Sequence, residues 1–283
     1  MVDIAEKAMH VSLNIKQWSA RKSDKVISNE IAMMKNARED AGIYTKRLIR
    51  DKSLTWYQKN ASAAREYYYK RTLPWSKDMR VLMSKGFESF NSEMVEFKAN
   101  AEAFADEFCS HYVEAYERAR NELGELFEPS DYPSEAAIRS RFGFSIRYSP
   151  IPLSNDWRVA GLTDKVNSDC RRAIEANTKE CIADAMRDVW KRLYTRVEKM
   201  ADRLGDEDAV FHSTLVTNLI ELTDLLPMLN LMDDKNLAHM GDDIREKLCV
   251  YDADTLRHNF DDRKKVATEA TTILDRMKEC GYV

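Results

Sequence analysis

The amino-acid sequence predicts an α+β protein that is mainly α-helical. We expect a long antiparallel helical hairpin with coiled-coil-like packing, a small antiparallel sheet and a C-terminal helical bundle. Eight glycines, six prolines and a charged fraction of 33% in 283 residues are typical of long helices with exposed polar faces. Apolar residues recur at helical spacing over most of the chain, whereas a few short stretches alternate with the period of a strand.

Three short segments are predicted to form the sheet. Residues 11–18 alternate apolar and polar side chains, which is typical of a half-buried strand. Residues 142–148 show the same alternation before Pro150 interrupts it. Residues 157–162 are a weaker third candidate. Because these segments are far apart along the chain, we expect the sheet to join its beginning to its middle.

The first helical region is predicted at residues 28–50 and 52–71, with Gly42 as a possible break. The chain is expected to reverse at residues 72–75. Pro74 is predicted to lie in the first turn of the next helix, where proline is tolerated.

A heptad pattern of apolar residues then predicts one helix of roughly 40 residues, or ~60 Å at 1.5 Å per residue. The pattern slips once after Phe108. It is rich in phenylalanine, which favours antiparallel packing against another long helix of the same chain. Its members are Phe87, Phe90, Met94, Phe97, Ala101, Phe104, Phe108, Tyr112, Ala115, Ala119, Leu123 and Leu126.

The C-terminal half is predicted to be helical except around the sheet. Ser134 is expected to cap a short helix at residues 134–141, and Asp164 to cap a long helix that runs to Leu204 and ends at Gly205. Further helices are predicted at 209–232, 235–249 and 254–278. We therefore expect one domain at residues 1–163, with the sheet and hairpin, and a helical region at residues 164–283 that packs on it.

Charge and hydropathy exclude several classes of protein. The net charge is −4 with both signs interspersed, so any nucleic-acid site must be local. The most apolar stretch, residues 215–232, contains Glu221, Asp224 and Pro227 and is therefore not expected to span a membrane. The N-terminal residues lack the apolar core of a signal peptide. We expect a cytoplasmic protein without membrane attachment.

No catalytic residue, cofactor, metal site or small-molecule substrate is predicted. Phosphate-binding, nucleophile-elbow and zinc-protease motifs are absent, and the five histidines are far apart. The five cysteines are widely spaced without a CxxC pair, which indicates free thiols in a reducing compartment. They are Cys109, Cys170, Cys181, Cys249 and Cys280.

One segment combines positive charge with aromatic rings. Residues 44–80 contain ten basic and three acidic residues, a local net charge of +7, with seven Trp and Tyr residues among them. Cations beside stackable rings are what single-stranded nucleic acid requires. The candidate nucleic-acid-binding residues are Lys46, Arg47, Arg50, Trp56, Tyr57, Lys59, Tyr68, Lys70 and Arg71.

A second interpretation of the same segment is internal neutralisation. Residues 87–135 contain thirteen acidic and three basic residues, a local net charge of −10. Two neighbouring helical regions of opposite charge can neutralise each other in a hairpin. The sequence favours this interpretation but leaves both open.

Three stretches resemble a phage and bacterial family known as domain of unknown function 3150. They are LNIKQWSARK at residues 13–22, YYKRTLPW at 68–75 and IRSRFGFSIRY at 138–148. Members of that family look like accessory proteins encoded near MoxR-type AAA+ ATPases. The resemblance implies a partner role without enzymatic activity, in the host cytoplasm if the chain is phage-encoded.

Two functional hypotheses follow. The first is a non-enzymatic helical partner or scaffold protein that contacts another protein, such as a MoxR-type AAA+ ATPase, or associates with itself. Long apolar seams and 13 methionines favour it. The alternative is a nucleic-acid-binding accessory factor that uses residues 44–80.

Overall fold

A computed structural model of the chain describes residues 4–154, 157 and 159–279. It is 68% helical with a small antiparallel sheet, which confirms the predicted fold class. The helices are α1 Ile4–Lys7, α2 Lys25–Met34, α3 Lys52–Arg71, α4 Phe87–Ser110, α5 Tyr112–Leu123, α6 Glu135–Ile138, α7 Asp164–Gly205, α8 Thr214–Leu229, α9 Lys235–Leu248, α10 Ala253–His258 and α11 Phe260–Glu279. The strands are β1 Ala8–Lys16, β2 Arg21–Asp24, β3 Tyr44–Arg47, β4 Leu73–Pro74, β5 Arg80–Met83 and β6 Gly143–Pro150.

The chain forms two compact units. The first unit comprises the described residues within Met1–Ser12, Tyr69–Phe90 and Tyr148–Val283, and the second comprises Leu13–Tyr68 and Asn91–Arg147. The chain therefore passes between the units after residues 12, 68, 90 and 147.

The first unit is built on the long helix α7. Its inward face buries Val189, Leu193 and Val197 at the spacing that the sequence predicted. Helix α11 packs along α7 and begins beside its end, so the two helices form an antiparallel pair. There the buried Arg263 guanidinium donates to the main-chain oxygen of Leu204 at 3.1 Å and stabilises the end of α7.

The four-stranded sheet has the order β4-β5-β1-β6. In the first unit β5 pairs antiparallel with the start of β1, with Ala8 opposite Met83, and with β4, with Leu73 opposite Val81. The predicted strands at residues 11–18 and 142–148 are confirmed as β1 and β6. The prediction for Pro74 was wrong: the chain reverses through a β-hairpin, and proline is accommodated because β4 is an edge strand.

The second unit packs α3 against α4 through aromatic side chains. The Trp56 and Phe104 ring centroids lie 5.8 Å apart, and the Asn60 side-chain amide donates to the Phe97 main-chain oxygen at 2.8 Å. Because residue numbers rise along α3 as they fall along α4, the helices are antiparallel. Helix α3 has the bounds that the sequence predicted.

Two predicted helices are interrupted in the second unit. Residues 28–50 do not form one helix: α2 ends at Met34, Asn36 adopts a positive φ of 48° and the chain returns as β3. The helix predicted from Phe87 to Leu126 is divided at His111 into α4 and α5, close to the slip in the heptad pattern. The short helix near residues 134–141 is confirmed as α6 and a following 3-10 turn.

Several boundaries in the first unit differ from the predictions. Thr163, not Asp164, caps α7, and its side chain accepts from the Val166 amide. The helix predicted at 254–278 is divided at Asn259 into α10 and α11, and the helix predicted at 209–232 is the shorter α8. Helix α9 agrees with the predicted 235–249 to within one residue.

The weak strand predicted at residues 157–162 was wrong for the described residues. Trp157 and residues 159–162 form no strand, and residue 158 lies outside the described part of the chain. The Trp157 indole instead donates to the Asn167 side chain at 3.0 Å, and Gly161 turns the backbone with a φ of 84°. No helix in the described residues is long and apolar enough to cross a bilayer.

Candidate functional site

A two-stranded sheet in the second unit supports helix α2. Strands β2 and β3 pair antiparallel, and α2 lies between them in the chain. Asp24 ends β2 and caps α2, because its carboxylate accepts from the main-chain amides of Val26 at 3.1 Å and Ile27 at 3.2 Å. The Tyr44 amide at the start of β3 donates to the Ser28 hydroxyl at 2.9 Å. These bonds fix Asp24 and Tyr44, the residues at the two ends of the segment that contains α2.

A buried ion cluster holds this sheet against the rest of the second unit. The Lys46 side chain is 6% exposed, and its Nζ lies 2.7 Å from Asp131 and 3.4 Å from Asp24. Burial alone would lower the pKa of Lys46, but the two carboxylates reverse this and raise it. Asp131 belongs to the acidic segment 87–135, so this segment neutralises the basic segment 44–80 at Lys46. Lys46 is therefore not available to a ligand.

Helix α2 exposes several apolar side chains. Only Ala32 is buried among its residues. Val26 is 67% exposed, Met33 72% and Met34 80%, and Ile43 in the following loop is 77% exposed. Large apolar side chains clustered at a protein surface are typical of a binding site. This surface was not predicted from the sequence, because residues 28–50 were expected to form one longer helix.

The nine candidate nucleic-acid-binding residues are not brought together. Tyr57 and Tyr68 are buried, so neither ring offers a face for stacking. The Tyr57 hydroxyl donates to the Lys16 main-chain oxygen at 2.7 Å. Lys70, in the first unit, pairs with Glu221 at 2.9 Å, and Arg71 is half-buried there. The exposed candidates in the second unit are Arg47, Arg50, Trp56 and Lys59.

These exposed candidates lie along the start of α3. Arg47, Arg50 and Trp56 line a shallow depression of about 290 Å³, together with Asp51, Lys52 and Thr55. Lys59 lines a second depression of about 430 Å³, which shares Thr55 with the first. We call Arg21, Arg47, Arg50, Lys52, Trp56 and Lys59 the basic patch.

Arg21 belongs to the basic patch through the sheet. It lies directly opposite Arg47 in the β2–β3 register, and residues opposite each other project from the same face of a sheet. The sequence analysis missed it, because the pairing of β2 with β3 was hidden by the helix predicted over residues 28–50.

The first unit contains a depression with a volume of about 680 Å³. Its lining is mostly apolar and includes Ile182, Met186 and Leu231, with the Lys7–Asp233 ion pair among the polar groups. This composition suits an apolar side chain or ligand without specifying one.

Three of the described thiols are partly buried in surroundings that disfavour the thiolate. Burial raises the pKa of Cys249 to about 11, and it also raises the pKa of Cys109 and of Cys181. These three side chains are protonated at neutral pH, and a protonated thiol is a poor nucleophile. Within the described residues no group of three His, Cys, Asp or Glu side chains is placed to hold a metal ion.

Comparisons of the chain with protein-family models, with curated proteins and with solved structures found no match.

Proposed function

We propose that the protein is a non-enzymatic partner protein that acts through protein–protein contacts and binds its partner with helix α2. The observation that carries this proposal is the exposure of Val26, Met33 and Met34 on a helix whose N-terminal turn is fixed by hydrogen bonds. Methionine side chains are flexible and polarisable, and they are frequent on surfaces that bind other proteins.

The dimensions of α2 favour a groove on another protein over a second copy of this chain. A helix of ten residues is about 15 Å long and about 10 Å wide, so its outward half offers only a few hundred Å². A stable interface between flat surfaces needs roughly 800 Å² per partner. A groove would also contact the sides of the helix, where Ile31 is exposed, and so bury more area.

The anchoring of α2 lowers the cost of binding. The segment that contains α2 is held in place before a partner binds. The contacts that hold it are the Asp24 cap, the Tyr44–Ser28 hydrogen bond and the Lys46 ion cluster. A preordered helix loses less conformational entropy on binding than a disordered segment.

The partner that we propose is a MoxR-type AAA+ ATPase encoded beside the protein. The resemblance of residues 13–22, 68–75 and 138–148 to phage and bacterial accessory proteins supports this choice of partner.

The test is the affinity of the purified protein for the purified ATPase from the same genome, measured by isothermal titration calorimetry. The triple variant Val26→Gln/Met33→Gln/Met34→Gln should weaken binding roughly 100-fold, because three apolar anchors each contribute about 1 kcal/mol. Its unfolding free energy should change by less than about 0.5 kcal/mol per substitution, because the three side chains are exposed.

A matched control separates the surface from a general loss of apolar area. Val166→Gln/Val210→Gln/Val250→Gln replaces exposed apolar residues of the first unit and should bind like the wild type. Equal losses in both triple variants would contradict the proposal. A photo-reactive group at position 33, compared with position 210 in the native host, tests the surface without assuming the partner. Equal labelling at both positions would overturn it.

A further inference from the structure

The five exposed cations of the basic patch form no ion pair within the described part of the chain. They are Arg21, Arg47, Arg50, Lys52 and Lys59. Two carboxylates line the same depressions, Asp51 beside Arg50 and Glu66 beside Lys59, and that of Asp51 accepts from the Leu54 amide at 3.1 Å and caps α3. Because the cations outnumber these carboxylates, the patch keeps a net positive charge in a chain of net charge −4.

Without a bound ligand, the placement of Arg21 opposite Arg47 destabilises the folded protein. Like charges directly opposite each other on one face of an antiparallel pair are destabilising. An anion bound across the two guanidinium groups would remove this repulsion.

Trp56 gives the patch a surface for stacking. Its ring contacts Phe104 with centroids 5.8 Å apart and remains 44% exposed. Arg50 and Lys52 line the same depression, so a base stacked on the indole would have cations beside its phosphates.

We propose that the basic patch binds single-stranded nucleic acid, with Trp56 stacking on a base and the five cations contacting phosphates. This site is separate from the α2 surface and goes beyond the proposed partner function. The Thr55 hydroxyl donates to the Asp51 main-chain oxygen at 2.8 Å, and the Gln58 amide donates to the Trp18 main-chain oxygen at 3.0 Å. The contacts to phosphate are therefore assigned to the cations.

The same residues argue against a membrane surface. A helix that lies on a bilayer presents several large apolar residues beside its cations. Here Trp56 is accompanied by Thr55, Gln58, Ser62 and Ala63, which offer little apolar area.

The test uses a fluorescently labelled 15-nucleotide thymidine strand and measures anisotropy at salt concentrations from 25 to about 200 mM. Affinity should fall steeply with salt. Replacing Arg47, Arg50 or Lys59 by Gln should lower the log–log slope by roughly 0.7 for each lost cation. Trp56→Ala should weaken binding about 5- to 100-fold without changing the slope, whereas Trp56→Phe should keep most of the affinity.

Three controls make each outcome decisive. Lys77→Gln, an exposed cation outside the patch, should leave the slope unchanged. An abasic strand of equal length should bind more weakly than the thymidine strand, and Trp56→Ala should bind both alike. The α2 triple variant should bind the strand as tightly as the wild type. Failure of the partner proposal can therefore be distinguished from failure of the nucleic-acid proposal. No binding at 25 mM salt, or equal affinity for poly-glutamate or for anionic phosphatidylserine vesicles, would overturn the proposal.

Discussion

Buried polar side chains decide which aromatic and cationic residues can meet a ligand. The Tyr132 hydroxyl donates to the Leu48 main-chain oxygen at 3.0 Å, and the Tyr112 hydroxyl donates to that of Pro133 at 2.6 Å. Burial raises the pKa of both tyrosines to about 12, so they remain neutral hydrogen-bond donors. Tyr57 has a similar role, so it offers no ring beside the cations of the basic patch, where Trp56 is exposed. Tyr69 of the first unit is also exposed, and the Arg80 guanidinium lies 4.9 Å from the centroid of its ring.

His10 in the first unit gives the protein a pH-dependent stability. Its side chain is 3% exposed, its ring centroid lies 5.1 Å from that of Trp75, and its Nε2 has no hydrogen-bond partner among the described residues. Burial lowers the pKa of His10 below its usual 6.5. The unfolded chain therefore takes up this proton at a higher pH than the folded protein, and stability falls as the pH drops below about 6.5.

Thermal denaturation at pH 7.5, 6.5 and 5.5 checks this expectation. Between pH 7.5 and 5.5 the melting temperature of His10→Phe should fall less than that of the wild type, because the buried group no longer titrates. His212→Gln, at an exposed histidine, should keep the wild-type decline. An unchanged decline in His10→Phe would show that other groups cause it.

At the scale of elements, the sequence predicted helices with a strong apolar period and failed where burial depends on distant residues. Helix α7 was predicted because its inward face is apolar and local. Strand β3 was not, because its buried residue is Lys46, whose burial requires Asp24 and Asp131 far away along the chain. The unrecognised strand in turn hid both α2 as a separate helix and the approach of Arg21 to Arg47.

The break at His111 shows a different limit. A slip in a heptad pattern indicates that the apolar face changes direction, but it does not say whether the helix stays continuous. Residues on both sides, Phe108 and Tyr112, are buried and their rings contact each other with centroids 5.8 Å apart. Both residues also contact distant parts of the chain: Phe108 packs against Phe142 with centroids 5.7 Å apart, and the Tyr112 hydroxyl donates to the Pro133 main-chain oxygen. Such contacts are not visible in a local pattern.

The ion cluster of Lys46, Asp24 and Asp131 is expected to stabilise strand β3. Lys46→Met keeps the apolar stem but leaves the Asp131 carboxylate without its closest cation, so unfolding free energy should fall by about 1–3 kcal/mol. Lys59→Met, at an exposed cation, should change it by less than about 0.5 kcal/mol. Urea denaturation followed by circular dichroism measures both. Equal stability of the two variants would mean that the cluster contributes nothing to folding.

For the whole molecule, both proposed surfaces belong to the second unit. Helix α2 and the basic patch lie within Leu13–Tyr68, whereas the first unit consists largely of packed helices around α7. The two surfaces differ in chemistry, one apolar and one cationic, so their binding should respond differently to salt. Loss of one by substitution should leave the other intact.

The central claim is that α2 is the surface that contacts a partner protein. Hydrogen–deuterium exchange of the protein, alone and with the purified MoxR-type ATPase, tests it most directly. We predict that exchange slows in Lys25–Met34 and in the loop to Ile43 when the ATPase is added, and that the α2 triple variant shows no such protection. Unchanged exchange across α2, together with protection elsewhere in the chain, would contradict the account.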